Sequence, residues 1–305
     1  LKQDYHSRPP WTHDWKNPSQ DHPSDKIVNL SRAIYYDKET IELIADILGT
    51  SKNVHDYADD WVVYNAICNH WNLDINTVSV GFGASDIMDR CFRTLDVDHW
   101  YIVTPHFLMS SAFCDMNNKR CTLISREQAL EISDKNSGLY IANPGATDGE
   151  CVDVSELYKQ YKYLIADEVY ADFYPTHSLI NSVPENTVVL KSLGKTLGVA
   201  GFRLGFGVAS KTITELLQNY RSLCVTTKPA ELTVPVLLPR VNSVIDRLNS
   251  VKRTLEQQYP CKPSKTLYML FKEPNIYTEH FGARLAGGYY RIALADWETL
   301  NAAKD

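Results

Sequence analysis

The sequence predicts an α/β protein: a mainly parallel central sheet with helices on both faces, followed by a smaller α+β unit. Three observations carry this. First, short apolar runs at residues 78–80, 101–103, 139–142, 163–166, 187–190 and 204–208 are mostly continuous rather than alternating, as expected of strands covered on both faces. Second, helical stretches interleave with them, which is how parallel strands are joined. Third, the texture changes after about Ser210: helical stretches at 213–224 and 232–258 precede two strand-like runs, 266–272 and 288–294.

Element by element, residues 1–26 are polar and aromatic, with Pro9, Pro10, Pro18 and Pro23 breaking any helix and Trp11, His13 and Trp15 supplying large rings. They read as an arm that packs on the body or on a partner. Asp37 is a candidate N-cap for a helix through Leu48, with Ile41, Ile44, Ala45 and Leu48 on one face and Gly49 closing it. A second helix covers 61–71. In the last third, Pro235 and Pro239 are expected to break the 232–258 stretch. The expected organisation is an N-terminal arm and helix over 1–52 belonging to the small domain, a large domain over 53–212 and a C-terminal small domain over 213–305.

Composition narrows the function. The 305 residues carry 31 Lys plus Arg against 37 Asp plus Glu, a formal charge of −6, with 44% hydrophobic and 22% charged residues. This balance excludes wholesale disorder and argues against a protein that neutralises nucleic-acid phosphates. No apolar run approaches the roughly 18 residues of a membrane span, and Leu1-Lys2-Gln3-Asp4 lacks the basic and apolar regions of a secretory leader. The seven cysteines are scattered and form no CxxC pair, so reduced thiols in a cytoplasmic protein are expected. The nine histidines show no HExxH, and no metal site is expected.

Two nucleotide motifs are incomplete. Gly194-Lys195-Thr196 suggests a P-loop, but Val189 stands where its first glycine belongs. Gly81-Phe82-Gly83 begins a dinucleotide fingerprint, but Asp86 takes the third glycine position. Pyridoxal phosphate makes different demands: a lysine for a Schiff base, a carboxylate for the pyridine nitrogen, a polar partner for the phenolic oxygen, an aromatic face, and a helix N-terminus with hydroxyls and an arginine for the phosphate. Each has a candidate at a strand end or turn.

On these residues the chain resembles the fold-type I pyridoxal-phosphate-dependent aminotransferases, most of all the histidinol-phosphate aminotransferase-like branch. The resemblance runs from about Tyr57 to Arg291 and is firmest between Gly81 and Gly205. Ser192-Leu193-Gly194-Lys195, with Arg203 eight positions on, resembles the Schiff-base lysine and its phosphate arginine. Asp167-Glu168-Val169-Tyr170 resembles the strand end whose Asp pairs with the pyridinium nitrogen and whose Tyr bonds the phenolic oxygen. Asn143-Pro144 resembles the turn that places an amide on that oxygen. Gly83-Ala84-Ser85 resembles the helix start, and Ser192 the hydroxyl, that receive the phosphate. Phe107 matches the stacking ring. Tyr57 falls where the family has a tyrosine reaching the neighbouring subunit's cofactor. Arg291 resembles the arginine that grips the substrate's anion.

The chain departs from the pattern in three places. The turn reads Asn-Pro-Gly-Ala-Thr-Asp-Gly, Gly194 replaces a hydroxyl residue before the lysine, and Asn29-Leu30-Ser31-Arg32 stands near the substrate-mouth motif without matching it. The resemblance implies a homodimeric enzyme that moves an amino group between an amino acid or amino-phosphate and a 2-oxo acid, with Lys195, Asp167 and Tyr170 as catalytic residues. A threonine-phosphate decarboxylase-type reaction and a non-catalytic cofactor-binding protein remain as alternatives. So does a P-loop nucleotide hydrolase. No nucleic-acid or membrane partner is expected.

Overall fold

The computed structural model describes residues 28–303; the expected N-terminal arm, residues 1–26, lies outside them. In chain order the elements are α1 (Lys38–Thr50), α2 (Asp60–Trp71), β1 (Val78–Phe82), α3 (Ala84–Thr94), β2 (His99–Val103), α4 (Leu108–Met116), β3 (Arg120–Ile124), α5 (Arg126–Glu131), β4 (Asp134–Ala142), β5 (Tyr161–Asp167), β6 (Thr187–Lys191), α6 (Leu193–Thr196) and β7 (Leu204–Ala209). Then follow α7 (Lys211–Gln218), α8 (Lys228–Leu237), α9 (Val241–Gln258), β8 (Cys261–Lys262), β9 (Tyr268–Phe271), α10 (Ile276–Phe281), β10 (Arg284–Ala286), β11 (Tyr289–Ala293) and α11 (Trp297–Asn301).

Seven strands form the large sheet in the order β1-β7-β6-β5-β4-β2-β3. All neighbours are parallel except β7, which is antiparallel to both β6 and β1. β6 and β7 are buried along their whole length, so their continuous apolar sequence reflects cover on both faces. The start of β7 therefore lies at the same edge as the ends of β1, β4, β5 and β6. That edge, where the parallel strands end, is where open α/β sheets bind ligands.

The second sheet has four strands in the order β10-β11-β9-β8 and is antiparallel. The first described residues join it. Leu30 donates its N–H to the Phe281 carbonyl at 3.0 Å and accepts from Ala293 at 2.7 Å, and Tyr36 bridges Ala295. α1 is tied to α9 by Arg247, whose guanidinium lies 2.8 Å from the buried Asp37 carboxylate. Asp37 also caps α1, accepting from the Thr40 N–H as expected.

Several elements differ from expectation for physical reasons. α1 runs past Gly49 to Thr50, and Ile41 of its expected apolar face is exposed. α7 stops at Gln218; beyond the buried Leu217 the next large side chains, Tyr220 and Leu223, are exposed and add no core packing to extend it. Pro235 stands inside α8 and does not break it: Val234 and Leu237 beside it are buried, and this packing holds the turn despite the missing N–H. The break comes at the short 3-10 turn Leu238–Arg240 that holds Pro239. β3 and β10 were not expected at all. Both are edge strands with little buried surface, so neither writes an apolar run into the sequence.

Candidate active site

The edge of the large sheet is assembled from strand ends. β1 leads through Gly83 into α3. Gly83 has φ +81°, and this helix start has no side-chain cap, so its first N–H groups remain available to an anion. The strand beside it approaches closely. A Cβ on Gly205 would stand 2.2 Å from the Ala84 nitrogen, so only glycine fits there. Just before β7, Arg203 holds a left-handed backbone, φ +53°, which is costly for a residue with a side chain. The turn aims its guanidinium at α3: Nη2 lies 3.0 Å from where a Gly83 Cβ would be. Ala84 is buried and Ser85 half-buried in the first turn of α3.

β5 ends in Asp167, which is 3% exposed. Tyr140 from β4 donates its hydroxyl to Asp167 Oδ2 at 2.5 Å, and the Val169 N–H reaches Oδ1 at 3.3 Å. Burial pushes the carboxyl up to about 6, and these two bonds hold it from rising further. Among the described residues it forms no ion pair.

Asn143, at the end of β4, is also buried, and its amide brackets the turn that follows: Nδ2 donates to the Val152 carbonyl at 2.8 Å and Oδ1 accepts from the Val152 N–H at 2.9 Å. Its backbone N–H meets the Asp167 carbonyl at 2.9 Å. The remodelled turn is thus closed by the asparagine itself, with Asp148 pairing with Arg126 at 2.6 Å.

Lys195 lies in the one-turn helix α6, capped by Ser192 with no side-chain cap bond. Its Nζ donates to the Ala33 carbonyl at 2.5 Å. Burial, then Arg203, then Arg291 lower its amine to about 8. The turn is anchored from beneath: Thr196 bonds Asp172, and Asp172 pairs with the buried Lys191 at 2.6 Å. Tyr35 adds a bond from its hydroxyl to the Thr196 carbonyl at 3.2 Å.

Arg291, on β11, is buried. It donates Nη1 to the Ala146 carbonyl at 2.9 Å, and its Nε is buried without a partner. Tyr170 is buried, but its hydroxyl meets the Tyr268 hydroxyl at 2.8 Å.

Arg203 and Arg291 are near enough to Lys195 to lower its amine, and Asn143 and Asp167 sit on neighbouring strand ends. Phe107 precedes α4 on the same side of the sheet as these strand ends, half-buried against the core that includes Ala84 and Tyr140. Tyr57 stands apart between α1 and α2, 86% exposed. Three further participants were missed: Tyr140, Ala33 and Tyr268. A tyrosine inside the apolar run of β4 was the only visible hint of the first.

The model for the family described as aminotransferase class I and II matches residues 106–259, just over half of the chain. The chain belongs to this family. A histidinol-phosphate aminotransferase of Thermococcus kodakarensis is 25% identical over 240 residues, 72% of this chain and 71% of the relative. The structure of the histidinol-phosphate aminotransferase of Sinorhizobium meliloti in complex with pyridoxal-5′-phosphate has a TM-score of 0.74 at 12% identity, covering 95% of each chain. The L-threonine-O-3-phosphate decarboxylase of Porphyromonas gingivalis has a TM-score of 0.71 at 17% identity, covering 91% of this chain and 98% of its own; likeness at this level establishes a shared fold.

As a class I/II aminotransferase the chain is a pyridoxal-phosphate-dependent enzyme. Its residues fit that cofactor on their own terms. A buried carboxylate with no cation partner suits a protonated ring nitrogen. An uncapped helix start beside an arginine suits a phosphate. A desolvated lysine flanked by two arginines suits covalent attachment to a carbonyl carbon.

Proposed function

We propose that the donor is an amino acid or amino-phosphate with an anionic group, of the histidinol-phosphate or aromatic type, and that the acceptor is a 2-oxo acid. One observation carries the site assignment: Asp167, Asn143, Lys195, Arg203 and the uncapped start of α3 all lie at one edge of the large sheet, where its parallel strands end. In this reading Lys195 attaches the cofactor and Asp167 holds its ring nitrogen. Tyr170 and Asn143 face its phenolic oxygen, and Phe107 covers its ring. Gly83, Ala84, Ser85, Ser192 and Arg203 take its phosphate. Arg291 takes the substrate anion through its unpartnered Nε. The relatives' histidinol-phosphate activity supports the donor class.

The cofactor, when bound, supplies an electron sink conjugated to the donor's α-carbon. The chain's own residues do the rest. The Lys195 amine, lowered to about 8, is neutral in a useful fraction near pH 7–8 and takes the α-proton as general base. Burial first, and then Arg203 and Arg291 as like charges, shift that amine toward its neutral form. Asp167, dry and braced by Tyr140, keeps a negative charge where positive charge must persist. The Ala33 carbonyl orients the amine.

We further propose a homodimer in which Tyr57 serves the partner's site; its exposure, with Val54 and Trp61 exposed nearby, supports an interface there. A cytoplasmic location is supported by seven free cysteines. Among the described residues no helix is long and apolar enough to cross a membrane. The boundaries 52/53 and 212/213 complete the proposal, supported by the bonding of residues 30–36 to the small sheet.

The test is a visible-absorbance titration with pyridoxal phosphate of wild type and Lys195→Ala. Wild type should gain a band above 400 nm that borohydride fixes covalently, and the variant should not. A wild type without the band, or a variant with it, overturns the assignment. Product analysis then separates chemistries: a 2-oxo acid supports transamination, and carbon dioxide without one supports decarboxylation.

A further inference from the structure

We propose that Tyr268 is a positioning residue that sets the donor strength of the Tyr170 hydroxyl and the plane of the Arg291 guanidinium. This rests on the reading above, in which Tyr170 meets the cofactor and Arg291 the substrate. The register puts Tyr268 opposite Ala293 and Leu270 opposite Arg291. Tyr268 and Arg291 are therefore diagonal neighbours on one face of the small sheet. Tyr268 is fully buried. Its hydroxyl lies 2.8 Å from that of Tyr170, with ring centroids 5.4 Å apart, and Arg291 Cζ stands 4.3 Å over its ring.

Either hydroxyl can donate across the 2.8 Å contact, and the guanidinium over the Tyr268 ring favours Tyr268. Burial raises both hydroxyls, and the guanidinium stacked on Tyr268 opposes this most directly there. In the proposed arrangement the stacked guanidinium makes Tyr268 the donor and Tyr170 the acceptor. The Tyr170 proton is then left for an acceptor in the site, and a hydroxyl that accepts one bond donates a stronger second one. An anion on Arg291 offsets the charge over the Tyr268 ring, so substrate binding is felt at Tyr170 through two contacts.

The experiment uses full-length protein loaded with pyridoxal phosphate. Tyr268→Phe keeps the ring and removes the hydroxyl. The pH midpoint of the bound cofactor's visible absorbance should rise by roughly half a pH unit, with donor KM within about twofold. Tyr268→Leu removes the ring and should raise donor KM about 5- to 30-fold. A midpoint unchanged in Tyr268→Phe, or a KM unchanged in Tyr268→Leu, overturns the inference. A wild type without cofactor absorbance instead overturns the functional reading beneath it. In the cofactor-free protein, a double-mutant cycle of Tyr170→Phe and Tyr268→Phe on thermal stability should show coupling; strict additivity also overturns the inference.

Discussion

Among the described residues two lysines have amines lowered to about 8: Lys195, half-buried at the edge of the large sheet, and Lys252, buried on α9 behind the small one. Neither forms an ion pair among the described residues. Their surroundings differ. Lys252 bonds the Ser264 carbonyl and, at 2.7 Å, the Thr266 carbonyl, so it pins the segment that leads into β9. Lys195 has one carbonyl, that of Ala33, and two arginines act on it. Burial lowers both amines, but one is braced by acceptors that need it and the other is left with donors to spare. A lowered amine alone therefore does not mark a catalytic lysine. In the proposed function, what separates the two is the bonding capacity that Lys195 keeps for the cofactor.

The comparison breaks if the two substitutions behave alike. Lys195→Ala should cost at least about 10³-fold in turnover while leaving the melting temperature unchanged or raised, since it removes a desolvated cation. Asp167→Asn comes next. It keeps the Tyr140 contact and removes the charge, and should cost about 10²–10³-fold in kcat, with the cofactor's absorbance showing weaker binding. Lys252→Met should do the reverse of Lys195→Ala: kcat/KM within about threefold, and a loss of about 2–3 kcal/mol in urea titration, because two buried carbonyls lose their donor.

The smallest effect is in pH dependence. Between about 8 and 10.5 the unfolded chain holds protons on both lysines that the native state has released, so stability of the cofactor-free protein rises with pH across that window. Lys252→Met should remove part of the rise. Asp167 acts with the opposite sign. Its carboxyl is raised from near 3.8 to about 6, so the native state holds the extra proton, and stability falls as pH climbs between those values. Asp167→Asn should flatten that slope in melts taken from pH 4 to 6.

What the sequence disclosed follows from distance along the chain. Asp167, Asn143, Lys195 and Arg203 stand at strand ends, where a turn holds chemistry next to a buried apolar run, and the family resemblance picks them out by order and spacing. Their partners come from afar. Tyr140 lies 27 positions from Asp167, Tyr268 lies 98 from Tyr170, and Ala33 lies 162 from Lys195. Nothing local in the sequence joins such pairs: Tyr140 meets Asp167 once β4 and β5 pair, and the other two contacts exist only once the small sheet has also formed. Ala33 is harder still, since its carbonyl acts and its side chain carries no signal. The fold was legible where strands are covered on both faces and silent at β3 and β10, whose exposed edges need no apolar residues.

The placing of β7 has a consequence for how the chain is made. β1 has one neighbour in the sheet, β7, with Phe82 paired to Leu204. On a ribosome adding about 5–20 residues per second, β1 leaves the exit tunnel and then waits roughly 6–25 seconds for about 120 further residues before its partner exists. Throughout that interval Val78 and Val80, fully buried in the finished protein, have only α2, α3 and whatever holds nascent chains to shield them. Substitutions that loosen the packing of α2 on β1 should therefore lower the yield of folded protein in synthesis more than they lower the stability of molecules that have already folded.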